Sequence, residues 1–156
     1  MKKIDLETAP LVRGSDYPAP FDAACQGRTR RRLARAAGLT QFGVNLQRLP
    51  PGQWSSQRHW HTHDEEFVYV LEGEVVLVTD EGEEVLRAGD CAGFAAGDRN
   101  GHHFQNRSGA EAVLLEVGTD HPDEDVCSYS DIDMKVGPDP FYMRRDGTPY
   151  PPKAPG

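Results

Sequence analysis

Between residues 40 and 117 the chain runs in short apolar stretches broken by turn-forming residues, a pattern of strands rather than helices. Residues 40–49 alternate loosely around Phe42, Val44 and Leu46, and Pro50-Pro51-Gly52 ends them in a turn. Residues 67–71 and 75–79 are β-branched and aromatic, with Glu72-Gly73-Glu74 between them, and Asp80-Glu81-Gly82-Glu83 closes the next hairpin. Val85-Leu86-Arg87 leads through Ala88-Gly89-Asp90 to a short strand over 91–96. A histidine-bearing loop follows, and Ser108-Gly109-Ala110-Glu111 turns the chain into a last strong strand over 112–117. Strands this short and closely spaced predict an all-β sandwich or barrel.

Prolines mark off the ends: three fall in the first twenty residues, two at Pro50-Pro51, and seven between Pro122 and Pro155. The expected organisation is an N-terminal extension over 1–39 packing on the barrel, the barrel over 40–118, and a proline-rich C-terminal extension over 119–156. Residues 30–39 are ambiguous, because Leu33, Ala34, Ala36 and Ala37 tolerate a helix; strand or extended chain is the preferred reading. The C-terminal segment mixes proline, glycine and aspartate with Tyr129, Phe141, Tyr142 and Tyr150. Such a composition is expected to drape over the barrel without a core of its own.

Composition narrows the function. The 156 residues suit one domain, and a formal charge of -8 disfavours nucleic acid or an anionic membrane as partner. Arg28, Arg30, Arg31, Arg32 and Arg35 run against that balance. A solvated strand or helix face is the expected use of such a run, with a phosphate or subunit contact the less favoured one. Cys25, Cys91 and Cys127 are odd in number and widely spaced, which suggests neither a disulfide framework nor a thiolate metal site. Met1-Lys2-Lys3 is followed by Ile4-Asp5-Leu6-Glu7 without the apolar core of a signal peptide, and no apolar run is long enough to span a membrane, so the cytoplasm is the expected compartment.

The chemistry concentrates in His59-Trp60-His61-Thr62-His63-Asp64-Glu65-Glu66, immediately before an apolar strand. On an extended strand His59 and His61 share a face while Trp60 takes the other. A short turn returns Glu66 to the same point from the next strand, and if Glu66 faces inward, period two carries Val68 and Val70 inward with it. His102 or His103 supplies a fourth donor from elsewhere in the sheet. Three neutral imidazoles and a carboxylate suit one divalent transition metal (Zn, Fe, Mn, Ni or Co) and suit Mg or Ca poorly.

These residues resemble a known family. Cupins carry G(X)5HXH(X)3,4E(X)6G followed by G(X)5PXG(X)2H(X)3N. His59, His61, Glu66 and Gly73 fit the second half of the first motif in full, and Gly52 leads it one residue early. In the second motif Gly89, Gly97, His102 and Asn106 fit in order; Ala95 replaces proline, and the turn Asp98-Arg99-Asn100-Gly101 holds two extra residues. The spacing to Asn106 favours His102 over His103. The resemblance implies a single cupin-type double-stranded β-helix, or jelly-roll barrel, with metal ligands His59, His61, Glu66 and His102, and a homodimer whose interface the tail aromatics would cover.

Four protein ligands on an octahedral ion leave room for a chelating small molecule, such as a hydroxy or keto acid or a sugar. Glu66 and the rim residue His63 are the candidate proton carriers. Arg48, Arg58 and Arg99, with Asn106, are candidate substrate contacts; Asp64 and Glu65 read as solvated turn residues, and Trp54 and Trp60 as packing. Three functions fit: an isomerase, epimerase or lyase acting on a sugar, sugar phosphate or small carboxylic acid; an iron-dependent dioxygenase or oxidase; or a non-catalytic binding or sensing module. The ligand set alone does not separate them, because one fold hosts many chemistries.

Overall fold

The computed structural model describes residues 3–151. It is nearly all β: β1 (Leu11–Arg13), β2 (Thr29–Arg32), β3 (Phe42–Leu49), β4 (His59–His61), β5 (Glu66–Glu72), β6 (Glu74–Thr79), β7 (Gly82–Arg87), β8 (Cys91–Phe94), β9 (His103–Gln105), β10 (Ala112–Thr119), β11 (Cys127–Tyr129) and β12 (Lys135–Val136), with one short helix, α1 (Leu33–Ala37). One sheet has the order β1-β2-β3-β10-β5-β8, and two smaller ones run β7-β6-β9 and β12-β11-β4. A bridge between His59 and His102 joins the edges of the two smaller sheets. The result is a two-layered jelly roll. No helix among the described residues is long and apolar enough to cross a membrane.

The core lies between the layers and follows the period-two pattern. On β5, Val68 and Val70 point in and are buried, while Phe67 and Leu71 point out and are exposed. Leu49, Leu77, Leu86, Phe104 and Leu114 complete this cluster. β5 and β6 are consecutive yet belong to opposite layers, so Gly73 is a corner rather than a hairpin turn. Its φ is +77°, and a Cβ there would stand 2.8 Å from the Glu111 carbonyl oxygen. Only glycine fits both constraints.

Three sequence expectations change. Residues 30–39 divide between β2 and α1. The Leu-Ala-Arg-Ala-Ala run is helix-forming, and Gly38, at φ +74°, caps it by donating its N–H to the Ala34 and Arg35 carbonyls. Of the second histidine pair, His103 opens β9, which pairs with β6, and His102 just before it bridges to His59 rather than lying in a free loop. The C-terminal segment also does more than drape, because Tyr129 and Met134 are buried with Tyr17 and Cys25 of the N-terminal extension in a second core. Tyr17 stands edge-on to Tyr129 at 5.6 Å. The tail aromatics are thus largely spent within the chain, with Phe141 left exposed.

Gly73→Ala is expected to lower unfolding free energy by about 1–3 kcal/mol through the left-handed backbone alone, with the carbonyl clash adding to it. Gly52, at φ +78° with open space around it, gives the comparison. In urea titrations Gly73→Ala should lose more stability than Gly52→Ala; equal losses would remove the clash from the account.

Candidate functional site

Strand pairing brings the histidines together. β4 pairs with β11 on one side, setting His61 opposite Cys127 and His59 opposite Tyr129. On its other side the His59 and His102 backbones exchange hydrogen bonds of 3.1 and 2.8 Å. Glu66 opens β5 in the facing layer and points between the rings. Its Oε2 lies 2.8 Å from Nε2 of His102, 3.3 Å from Nε2 of His59 and 3.8 Å from Nε2 of His61.

The far sides of the rings are held too. Nδ1 of His59 donates to the Gln57 carbonyl at 2.9 Å, and Nδ1 of His61 meets Oδ2 of Asp125 at 2.6 Å. With both Nδ1 atoms engaged, the Nε2 atoms of His59 and His61 are turned inward, the orientation metal ligation requires. His102 has no hydrogen-bond partner at Nδ1; instead its ring is stacked on Phe94, with centroids 3.5 Å apart and planes 5° off parallel. His103 turns away from Glu66. It is buried against Trp54, with Nδ1 on the Ser56 carbonyl and Nε2 beside the Gln105 amide.

Charge follows from this packing. Burial pushes the Glu66 carboxyl up, but His59 and the hydrogen bond from His102 outweigh it and hold the group well below the usual carboxylate range. Burial lowers His61, while Cys127, Glu66 and Asp125 raise it further, to about 10. His102 is depressed, chiefly by burial. His59, Glu66 and His102 lie close enough for a shared cation, as do two further sets, His59 with His61 and Cys127, and His61 with Asp64 and Asp125. The donor types fit a divalent transition ion.

Other expected positions differ. His63 is exposed, its ring on the Thr62 hydroxyl. Arg48 alternates with inward-facing Gln47 and Leu49, so it points outward and pairs with Glu111 at 2.7 Å. Arg58 is engaged by Asp131 at 2.6 Å and by Asp80. Arg99 is exposed at the rim over the Trp60 ring. Asn106 is buried; its amide donates to the Leu49 and Ala110 carbonyls, and its Oδ1 accepts from Ser108, so it clasps a turn. None of these five lines the cavities that reach Glu66.

A cavity of about 240 Å³ touches His59, His61, Glu66 and His102 together, and two larger ones meet the cluster from different sides. One, of about 490 Å³, includes Trp60, Phe94 and His102; the other, of about 650 Å³, includes His59, His61 and Tyr129. Sequence reading missed Asp125, which binds His61 and also accepts from the His63 and Asp64 backbones. Its only signal was membership in an acidic loop far along the chain.

Comparison with known proteins agrees with the geometry. A cupin-domain family profile matches residues 45–118. A sugar phosphate isomerase from the cupin superfamily of Silicibacter pomeroyi is 49% identical, covering 96% of this chain and 97% of that one, with a TM-score of 0.89. A candidate sugar phosphate isomerase from Acidithiobacillus ferrooxidans is 29% identical over 83% of this chain and 76% of its own, with a TM-score of 0.69. A polyketide cyclase from Streptomyces resistomycificus is 25% identical over 76% and 79%, at 0.59. No curated protein sequence matches. With the histidine–glutamate cluster, the jelly roll and near-complete coverage of a similar cupin all in agreement, the chain belongs to the cupin superfamily.

Proposed function

We propose that this protein is a metal-dependent isomerase of a sugar phosphate. The observation that carries the proposal is the 49% identity, over almost the full length of both chains, to a protein named for that activity. The cluster supports it: His59, His61, His102 and Glu66 are the residues assigned to hold one divalent transition ion. When bound, such an ion polarises a carbonyl or hydroxyl oxygen of the substrate.

The remaining work falls to side chains. Aldose–ketose conversion moves a proton between the carbonyl carbon and its neighbour. Glu66 is held in its charged form and faces both larger cavities; with Oε2 among the imidazoles, its other oxygen is the base assigned to take the proton from the carbon next to the carbonyl and return it to the former carbonyl carbon, while the hydroxyl proton passes to the former carbonyl oxygen. Phe94 stacks flat on the His102 ring and fixes its plane. His63 takes no part in this assignment, since its exposed ring is held by Thr62. Asp125 fixes the His61 ring as a positioning residue.

Two measurements check the assignment. Isomerisation of a panel of aldose and ketose phosphates should disappear after chelation and return with Mn, Fe, Co, Ni or Zn. An iron-loaded protein that consumes oxygen on small metabolites and interconverts no sugar phosphate would replace the isomerase by an oxygenase. For the metal itself, Asp125→Asn should weaken affinity about 10–100-fold by freeing the His61 ring. A His59→Ala, His61→Ala variant should retain no ion by elemental analysis; full metal content in that double variant would refute the ligand assignment.

A further inference from the structure

We infer that the arginines of the N-terminal extension form an oxyanion subsite, with Arg28 and Arg32 holding the phosphate end of a substrate whose sugar end lies at Glu66. The inference rests on the sugar-phosphate reading above and gives that substrate an orientation. The register places the arginines: β2 pairs with β3, setting Arg30 opposite Gln47 and Arg32 opposite Asn45. Residues directly opposite in a sheet share a face. Gln47 is buried, so Arg30 and Arg32 lie on the interior face, and Arg31, opposite Leu46, takes the other.

Space connects them to the cluster. Level with Glu66 the sheet reads Gly43, Gly118, Glu66, Phe94 across β3, β10, β5 and β8. The two glycines leave that row open, while Asn45 and Glu116 stand on the same face in the next row, the one level with Arg32. The 650 Å³ cavity occupies this gap, reaching from His59, His61 and Glu66 to Arg28, Arg30, Arg32 and Arg35. That volume suits a small phosphorylated metabolite.

Charge decides what lies there. Arg30 is already balanced by Glu116 at 3.0 Å. Arg28 is only 6% exposed; its Nε donates to the Gly14 carbonyl at 3.1 Å, yet its Nη1 has no partner. A buried cation with an unmet donor is costly until an acceptor arrives. Arg28 and Arg32 thus carry two positive charges without an ion pair among the described contacts. Asp16 and Asp120 also line this cavity, so the match is local: a phosphate monoester, at about -1.5 to -2 near pH 7, meets the two unpaired guanidiniums and accepts their forked donors. The cavity on the opposite side of the cluster carries Asp64, Glu81, Glu83, Glu84 and Asp98 and no arginine or lysine. An anion approaching from that side is repelled.

Inorganic phosphate is the probe, titrated calorimetrically into the full-length metal-loaded protein. Arg32→Gln, an exposed position that leaves packing intact, should weaken phosphate binding at least tenfold, and Arg28→Lys should do the same where the variant folds. Glu84→Gln, on the acidic side, should leave it unchanged. With a sugar phosphate substrate, Arg32→Gln should raise KM at least tenfold while kcat stays within a few-fold. Phosphate binding that is equal in wild type and Arg32→Gln overturns the subsite even where isomerisation is intact. Arginine-dependent phosphate binding in a protein that isomerises nothing keeps the subsite and removes the isomerase.

Discussion

A carboxylate taken out of water must be met by positive charge or hydrogen-bond donors, and Glu66 imposes that demand on the whole fold. Its oxygen is approached by three imidazoles from two parts of the chain. For those rings to arrive, β4 must lie between β11 and His102, and the β4–His102 approach tolerates little bulk. Gly101 illustrates the tolerance, because a Cβ there would collide with the Ser130 side chain. Gly118 faces the same limit from the other layer, with the Glu65 carbonyl 3.0 Å from where its Cβ would be. The cluster and the close approach of neighbouring strands within each layer are therefore one requirement: loosening either exposes the carboxylate or strands it.

Much of this was legible in the chain because it depends on local periodicity. Alternation puts His59 and His61 on one face, and the same alternation carries Glu66, Val68 and Val70 inward together. Gly73 announced a special backbone position, although its role as a corner between layers needs the topology. What escaped depends on register. Arg48 and Arg58 adjoin inward residues in sequence, and for that reason face away from them in space. The run from Arg28 to Arg35 reads as a solvated face until β2 pairs with β3 and turns alternate members inward. Asp125 is separated from His61 by the whole barrel, and no spacing rule connects them.

The extensions alter what counts as the barrel. β1 and β2 widen the large sheet beyond β3, and β11 and β12 widen the layer that carries β4. Their shared core of Tyr17, Cys25, Cys127, Tyr129 and Met134 lies beside the His59–His61 strand, with Cys127 and Tyr129 directly across from its two histidines. β4 is only three residues long. A strand so short has few backbone hydrogen bonds to hold its histidines in place, so packing beside it helps to set their position. Removing either extension would take away a wall of the site along with a piece of fold.

Polarity then gives the site a direction. The chain is acidic overall, at -8, and one mouth of the cluster shares that sign. The other collects four arginines drawn from a single short segment, with Asp16 and Asp120 also on its wall. An acidic surface around a cavity with an arginine-bearing end keeps unrelated anions at a distance in bulk solvent, where screening weakens the field beyond about 8–10 Å, while leaving short-range attraction at that end intact. Glu66 itself must be part of this balance. Its charge is offset by the surrounding imidazoles, so an anion bound at the arginines does not face an uncompensated carboxylate across the same cavity. Neutralising Glu66 thus serves both ends of the pocket: it permits the carboxylate to be buried, and it permits a negatively charged ligand to lie beside it.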